Sequence, residues 1–150
     1  MTRSSAPRAM PAGVDAVALV DTSVAVALSV ADHSHHEPTL EAVGDRALGL
    51  AGHAAFEAYS VLTRLPPPAR RRPQTVARLL AVSFPHTRHL GAAASAGLAD
   101  ELVGAGVAGG AVYDALVGAA AREHDLPLLT RDQRAADTYR ALAVRFELLT

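Results

Sequence analysis

The sequence predicts an α/β layered domain with a mostly parallel sheet. Two observations lead there. Short apolar runs rich in Val and Leu alternate with helix-spaced segments along nearly the whole chain, which is the pattern of strands joined by helical crossovers. The chain also has 150 residues, half of them hydrophobic, which is enough for one core and too little for two.

The elements follow in order. Residues 16–20 (AVALV) read as a first strand that ends at Asp21, and Thr22 and Ser23 supply capping hydroxyls for a helix over 23–30. ADHSHHEPTLEAVGD is a polar connection with a second short helix, and ALGLAGHA is the next strand. AAFEAYSVLTRL is a helix on which Phe56, Tyr59 and Leu62 share one face. It stops at Pro66, Pro67 and Pro68. An exposed basic turn, PARRRPQ, precedes a helix in TVARLLAVSF, and HTRHL is read as a third strand. GAAASAGLADELVGAGV and VYDALVGAAAREH are helices, LPLLT a strand, RDQRAADTYRALA a helix and RFELL a closing strand. The apolar faces around Tyr59 and Leu62, and along Ala115 to Ala121, read as core. Residues 16–150 form one domain, and residues 1–15 (MTRSSAPRAMPAGVD) read as a flexible tail rather than an export signal.

Composition excludes several chemistries. There is no cysteine, hence no disulfide frame, thiolate zinc site or thiol nucleophile, and a cytoplasmic home fits. All fourteen basic residues are arginine, so Schiff-base chemistry and a Walker A loop are ruled out, and so is a receiver-like domain that needs a late lysine. No run of about 18 apolar residues offers a membrane span. Net charge is −1, so any contact with nucleic acid must rest on a local patch, such as Arg64 with Arg70, Arg71 and Arg72. The DHSHHE run follows neither usual helical His spacing for zinc and reads as a polar loop.

Four acids stand in unexpected company. Asp21 interrupts VALVDTSVAVAL, Glu57 lies in HAAFEAYSVL, Asp114 in GGAVYDALVGAAA, and Asp132 just after LPLLT. Asp21 and Asp132 end predicted strands, while Glu57 and Asp114 open helices, so all four fall at the sheet edge where α/β folds gather ligands. Each alone fits a helix cap or a charge favoured by the helix dipole. Together they point to one site. Such a set repels itself unless a divalent cation neutralises it, and oxygen-only ligation favours Mg²⁺ or Mn²⁺. The matching chemistry is phosphodiester hydrolysis by metal-activated water.

The order LVDTSV, FEAYSVLTRLP, YDALVGAAAREHDLPLLTRDQRA resembles the PIN-domain nucleases, in particular the VapC toxins of bacterial VapBC toxin–antitoxin pairs, over about residues 17–150. The resemblance implies a three-layer α/β/α sandwich and a toxin acting as a Mg²⁺- or Mn²⁺-dependent endoribonuclease, with tRNA or rRNA as substrate. It implies that Asp21 and Asp114 hold the principal metal, that Glu57 and Asp132 complete the pocket, and that Thr22, Ser23 and Thr130 support the carboxylates. Many PIN domains carry a further acid or amide soon after the late aspartate, where this chain has Gln133, Arg134, Ala135 and Ala136; the departure bears on any second metal position. A homodimer and a VapB-type antitoxin partner are implied as well. Arg64, Arg70, Arg71, Arg72 and Arg131 are candidate RNA phosphate contacts. The competing reading is a catalytically inactive PIN-like module holding a structural ion.

Overall fold

A computed structural model describes residues 17–150. The reading of residues 1–15 as a tail lies outside the described residues. The elements are β1 (Val17–Val20), α1 (Thr22–Ser29), α2 (His36–Val43), β2 (Ala47–Leu50), α3 (Ala54–Thr63), α4 (Pro73–Ser83), α5 (Ala92–Ala105), α6 (Ala111–Glu123), β3 (Leu128–Thr130), α7 (Gln133–Ala141) and β4 (Phe146–Leu148). The four strands pair in parallel in the order β2-β1-β3-β4.

The period-2 geometry of a strand divides the core into two layers. Ala18 and Val20 of β1 face a cluster with Val24, Ala58, Leu62, Val76 and Phe84. Leu19, pointing the other way, joins Ala115, Val117, Ala121, Tyr139 and Leu142. Helices α1 to α4 therefore cover one face while α6 and α7 cover the other, which is the three-layer sandwich. The run from Val117 to Ala121 is buried as expected. Gly118 serves close packing there, since a Cβ at this position would stand 3.0 Å from both the Tyr139 ring and Val144.

Two expectations are corrected. HTRHL is not a strand: it and the preceding Pro85 make isolated bridges, Gly49 with Pro85 and Ala51 with Arg88, along the open edge of β2. The Leu50 N–H there donates to the Thr87 hydroxyl at 2.9 Å, so a side chain interrupts the ladder. The segment still shields an edge that would otherwise be free to pair. On α3, Tyr59 is 38% and Phe56 65% exposed, so the buried face is not the one they share with Leu62. It is Ala54, Ala58 and Leu62, spaced i, i+4, i+8, because small side chains let the helix lie close to β1 and α1.

Candidate active site

Strand β1 runs next to both β2 and β3, whose crossovers leave it in opposite directions. A parallel sheet opens a crevice at such a switch point, beyond the carboxyl ends of the strands. Asp21 immediately follows β1 there, and Asp132 stands two residues after β3. Glu57 and Asp114 lie in the first turns of α3 and α6.

Asp21 is 4% exposed and no guanidinium meets it. Its Oδ1 accepts from the Ser23 hydroxyl at 2.6 Å and, as the N-cap of α1, from the Val24 N–H at 3.3 Å. Its Oδ2 accepts from the Tyr139 hydroxyl at 3.0 Å. Burial pushes the carboxyl above its ordinary value, and the Ser23, Thr130 and Tyr139 hydroxyls with the Val24 N–H pull it part of the way back. Burial and the Asp21 carboxylate in turn hold the Tyr139 phenol far above its usual range, so it remains a donor.

The other three acids are fixed by simpler means. Glu57 Oε1 accepts from Thr22 Oγ1 at 2.9 Å, which ties the start of α3 to the start of α1. Asp132 caps α7, its Oδ1 accepting from the Arg134 and Ala135 N–H groups, while the highly exposed Arg134 Nε stands 3.9 Å away. Thr130 Oγ1 accepts from the Asp132 N–H, and Ser23 Oγ from the Arg131 N–H at 2.9 Å. Asp114 is pushed up to about 6, first by burial and then by the charges of Asp132, Glu57 and Asp21, with Arg134 opposing. Asp114 therefore feels the charges of the other three acids. The three hydroxyls, Thr22, Ser23 and Thr130, each bond to one of them or to the backbone between them.

Donor chemistry suits a hard divalent cation: oxygen ligands only, one of them a buried anion with no cationic partner. Among the described residues, however, no group of three or more His, Asp or Glu side chains is drawn together closely enough to hold a metal ion as it stands. Glu57, Asp114 and Asp132 would have to turn toward Asp21 to close a shell around an ion.

The arginines separate. Arg64 lines a cleft of about 420 Å³ with Thr22 and Glu57. Arg131 borders a second cleft of about 400 Å³ with Thr22, Ser23, His33, His35 and Asp132, and its Nη1 is buried with no hydrogen-bond partner. Arg70 donates to the Leu65 carbonyl of its own loop and Arg71 to Ser29 at the far end of α1, so these two brace the α3–α4 connection. Arg72 is exposed at the N-cap of α4.

Sequence reasoning missed Tyr139, and it missed that His33 and His35 border the site. The signal for Tyr139 was its place seven residues after Asp132 on the apolar stripe of α7, since a buried phenol needs a partner for its hydroxyl. No signal marked the histidines, which reach the cleft only because the α1–α2 turn lies beside the start of α7.

The chain has relatives among known proteins. The model of the PIN domain family matches residues 18–141. The chain is 47% identical over 131 residues to Ribonuclease VapC40 of Mycobacterium tuberculosis, covering 87% of this chain and 97% of that one. It is 46% identical over 125 residues to Ribonuclease VapC27 of the same species, covering 83% and 91%.

Proposed function

Because the chain belongs to the PIN-domain family, among its VapC ribonucleases, we propose that it is the toxin of a toxin–antitoxin pair and hydrolyses RNA internally with the help of Mg²⁺ or Mn²⁺. The observation that carries the reading is Asp21, 4% exposed with no cationic partner among the described residues, at the sheet edge where Glu57 and Asp114 open helices and Asp132 caps one; Asp114, pushed up to about 6, feels the other three. A set of charges that repel one another in the folded chain is what a cation site looks like from the protein's side.

When bound, the cation would activate water and stabilise charge on the scissile phosphate. Asp21 and Asp114 would hold it, with Glu57 and Asp132 completing the shell. Asp21 is pinned by the Ser23 and Tyr139 hydroxyls and the Val24 N–H, which fix the direction in which it would face an ion. Asp132 spends Oδ1 on capping and keeps Oδ2. Thr22 holds Glu57 in the crevice, which limits how far that side chain must turn. Asp114 carries a proton part of the time near neutral pH, and ligation would release it. Arg131 and Arg64, one on each flank, would hold the phosphates on either side; Arg70, Arg71 and Arg72 would add only a more distant field. A VapB-type antitoxin as partner, pairing of two copies, tRNA or rRNA as target and a cytoplasmic setting belong to the same reading. Among the described residues no helix is long and apolar enough to cross a membrane.

The test is cleavage of labelled RNA with Mg²⁺, with Mn²⁺ and with EDTA. Cleavage in both metals, its loss in EDTA and its loss in Asp21→Asn are expected. Cutting that persists in EDTA would overturn the metal mechanism, and full activity of Asp21→Asn would overturn the site. A chain that binds RNA and metal but cuts nothing would be the inactive module instead.

A further inference from the structure

Three of the four acids at the crevice are tied down and one is not. Asp21 is held by Ser23, Val24 and Tyr139, Glu57 by the Thr22 hydroxyl, and Asp132 by the Arg134 and Ala135 N–H groups. Asp114 answers to burial and to neighbouring charge, with no hydrogen bond fixing it among the described residues. Its place in the chain is equally loose. Val107 packs into the core layer of α6 and α7, and Ala115 is the first buried residue of α6, but none of residues 108–114 between them is buried. Gly106 and Gly109 take φ of 71° and 61°, and a Cβ at Gly106, Gly109 or Gly110 would meet nothing within 4 Å. Gly110, at the N-cap, offers no side chain to the free N–H groups of the first turn. Tyr113 reaches from this turn to another element: its ring stacks on His53, at the N-cap of α3, 5.3 Å away and 23° from parallel.

We infer that residues 108–114 form a hinged arm, that the Tyr113–His53 stack is its clasp, and that this arm is the part of the site that moves to bring Asp114 onto the ion. The inference rests on the metal-dependent reading and adds to it two positioning residues, Tyr113 and His53. A carboxyl gripped by several donors stays where it is. One on a turn without a buried anchor can travel, because opening that turn exposes little apolar surface. Some part of the site has to travel, since Mg²⁺ demands near-ideal octahedral ligands and the acids among the described residues do not already form such a shell. His53 opens the helix that carries Glu57, so closing the stack also sets Asp114 in register with Glu57.

The experiment is amide hydrogen exchange by NMR on the full chain, in EDTA and in Mg²⁺ at about ten times the Kd found by calorimetric titration. In EDTA the Val112 and Tyr113 amides, which bond to the Gly109 and Gly110 carbonyls, should exchange at least about 100-fold faster than Leu19 in the middle of the sheet, since the arm opens without the core. Because binding requires the closed arm, Mg²⁺ at that concentration should slow both amides about 10-fold, while Ser95 in the first turn of α5 should not change. Tyr113→Ala should speed exchange at Val112 in EDTA about 2- to 12-fold, the range one aromatic pair spans, and weaken Mg²⁺ binding in the calorimeter. Tyr113 is 52% exposed, so the variant keeps its core. Tyr113→Phe, which keeps the stack, should behave as wild type. Gly110→Ala, at a position whose φ of −61° and ψ of −26° are already helical, should slow exchange at Val112 about 2- to 5-fold. Bound Mg²⁺ with unchanged exchange at Val112 and Tyr113 overturns the arm and leaves the metal site standing. Exchange at Val112 as slow as at Leu19, equal slowing at Ser95, or wild-type exchange in Tyr113→Ala does the same. A chain that takes up no Mg²⁺ sinks the metal reading together with the arm.

Discussion

Replacing Asp114 with Asn should make the folded chain more stable at pH 8 while destroying its activity. The ordinary carboxyl value is 3.8 and that of Asp114 is about 6. At about 1.4 kcal/mol per pH unit, the gap corresponds to at most about 3 kcal/mol of folding free energy lost in keeping the group ionised. Asp114 is only half buried, and solvent screening cuts the effect to about 1 kcal/mol. For a chain of this length that is a rise of about 2–4 °C in Tm. The sign can be followed with pH. Between about 4 and 6 the native Asp114 binds a proton that the unfolded chain has released, so wild-type stability declines as pH rises through this window and the penalty is complete above it. The Asn variant has no such term. Its advantage should be absent near pH 4, open between pH 4 and 6, and hold constant to pH 8. Mg²⁺ should then raise the wild-type Tm more than that of Asp114→Asn, closing the gap, because a ligand stabilises only the form that binds it. Differential scanning calorimetry across this pH range, with and without Mg²⁺, checks each part. A variant that is less stable than wild type at pH 8, or whose advantage is the same at every pH, would refute the claim that the four acids press on one another.

Tyr139→Phe removes the hydroxyl that donates to buried Asp21 Oδ2, and should cost about 1–3 kcal/mol; it should also raise the pH at which cleavage begins, since one group that favours the ionised Asp21 is gone. An unchanged melting curve and pH–rate profile would show the bond to be idle. Asp132→Ala strips the cap from α7 for a loss of about 1 kcal/mol, but it also relieves Asp114, so the loss should be larger at pH 5 than at pH 8; equal losses would argue that Asp132 does not feel Asp114. Gly49→Ala would place a Cβ 2.1 Å from the His86 carbonyl, where only backbone can yield, and should destabilise by about 2 kcal/mol or more, with faster proteolysis of the 85–88 segment. A wild-type melt in that variant would mean the edge cover is loosely held.

The alternation of strands and helices was legible because both periods are written in the apolar pattern, and the four strands and seven helices seen among the described residues fall within a few residues of their expected bounds. Asp21 was legible too, as a charge inside an apolar run. What the pattern could not show was decided by distant contacts. HTRHL alternates like a strand, yet Thr87 takes the Leu50 N–H with its side chain, which leaves only isolated bridges on either side. Tyr59 and Leu62 lie on neighbouring helical positions, but the radius of the packing at Ala54 and Ala58 turns Tyr59 outward. Three of the five arginines singled out as phosphate contacts stood together in sequence; two of these are tied to backbone carbonyls, and only Arg64 and Arg131 border the crevice.

Capping and the proposed metal ligation are not rival explanations for the acids here. In a parallel sheet with helical crossovers, the N-termini of α1, α3, α6 and α7 all open at the carboxyl edge, each presenting unpaired N–H groups and roughly half a positive charge. An acid at a cap or in a first turn is therefore held in place and partly neutralised by its own helix, and the fold can gather four of them at one crevice without unfolding. The cap alone accounts for Asp132, whose Oδ1 takes two backbone N–H groups. It does not account for Asp21: Ser or Asn would cap α1 as well and would avoid burying a charge at 4% exposure. Burial pushes this carboxyl above its ordinary value, so keeping it ionised costs stability, and the Ser23 and Tyr139 hydroxyls offset part of that cost. A site strained in this direction gains free energy when a cation enters it, and the folding and the chemistry of this chain meet at that residue.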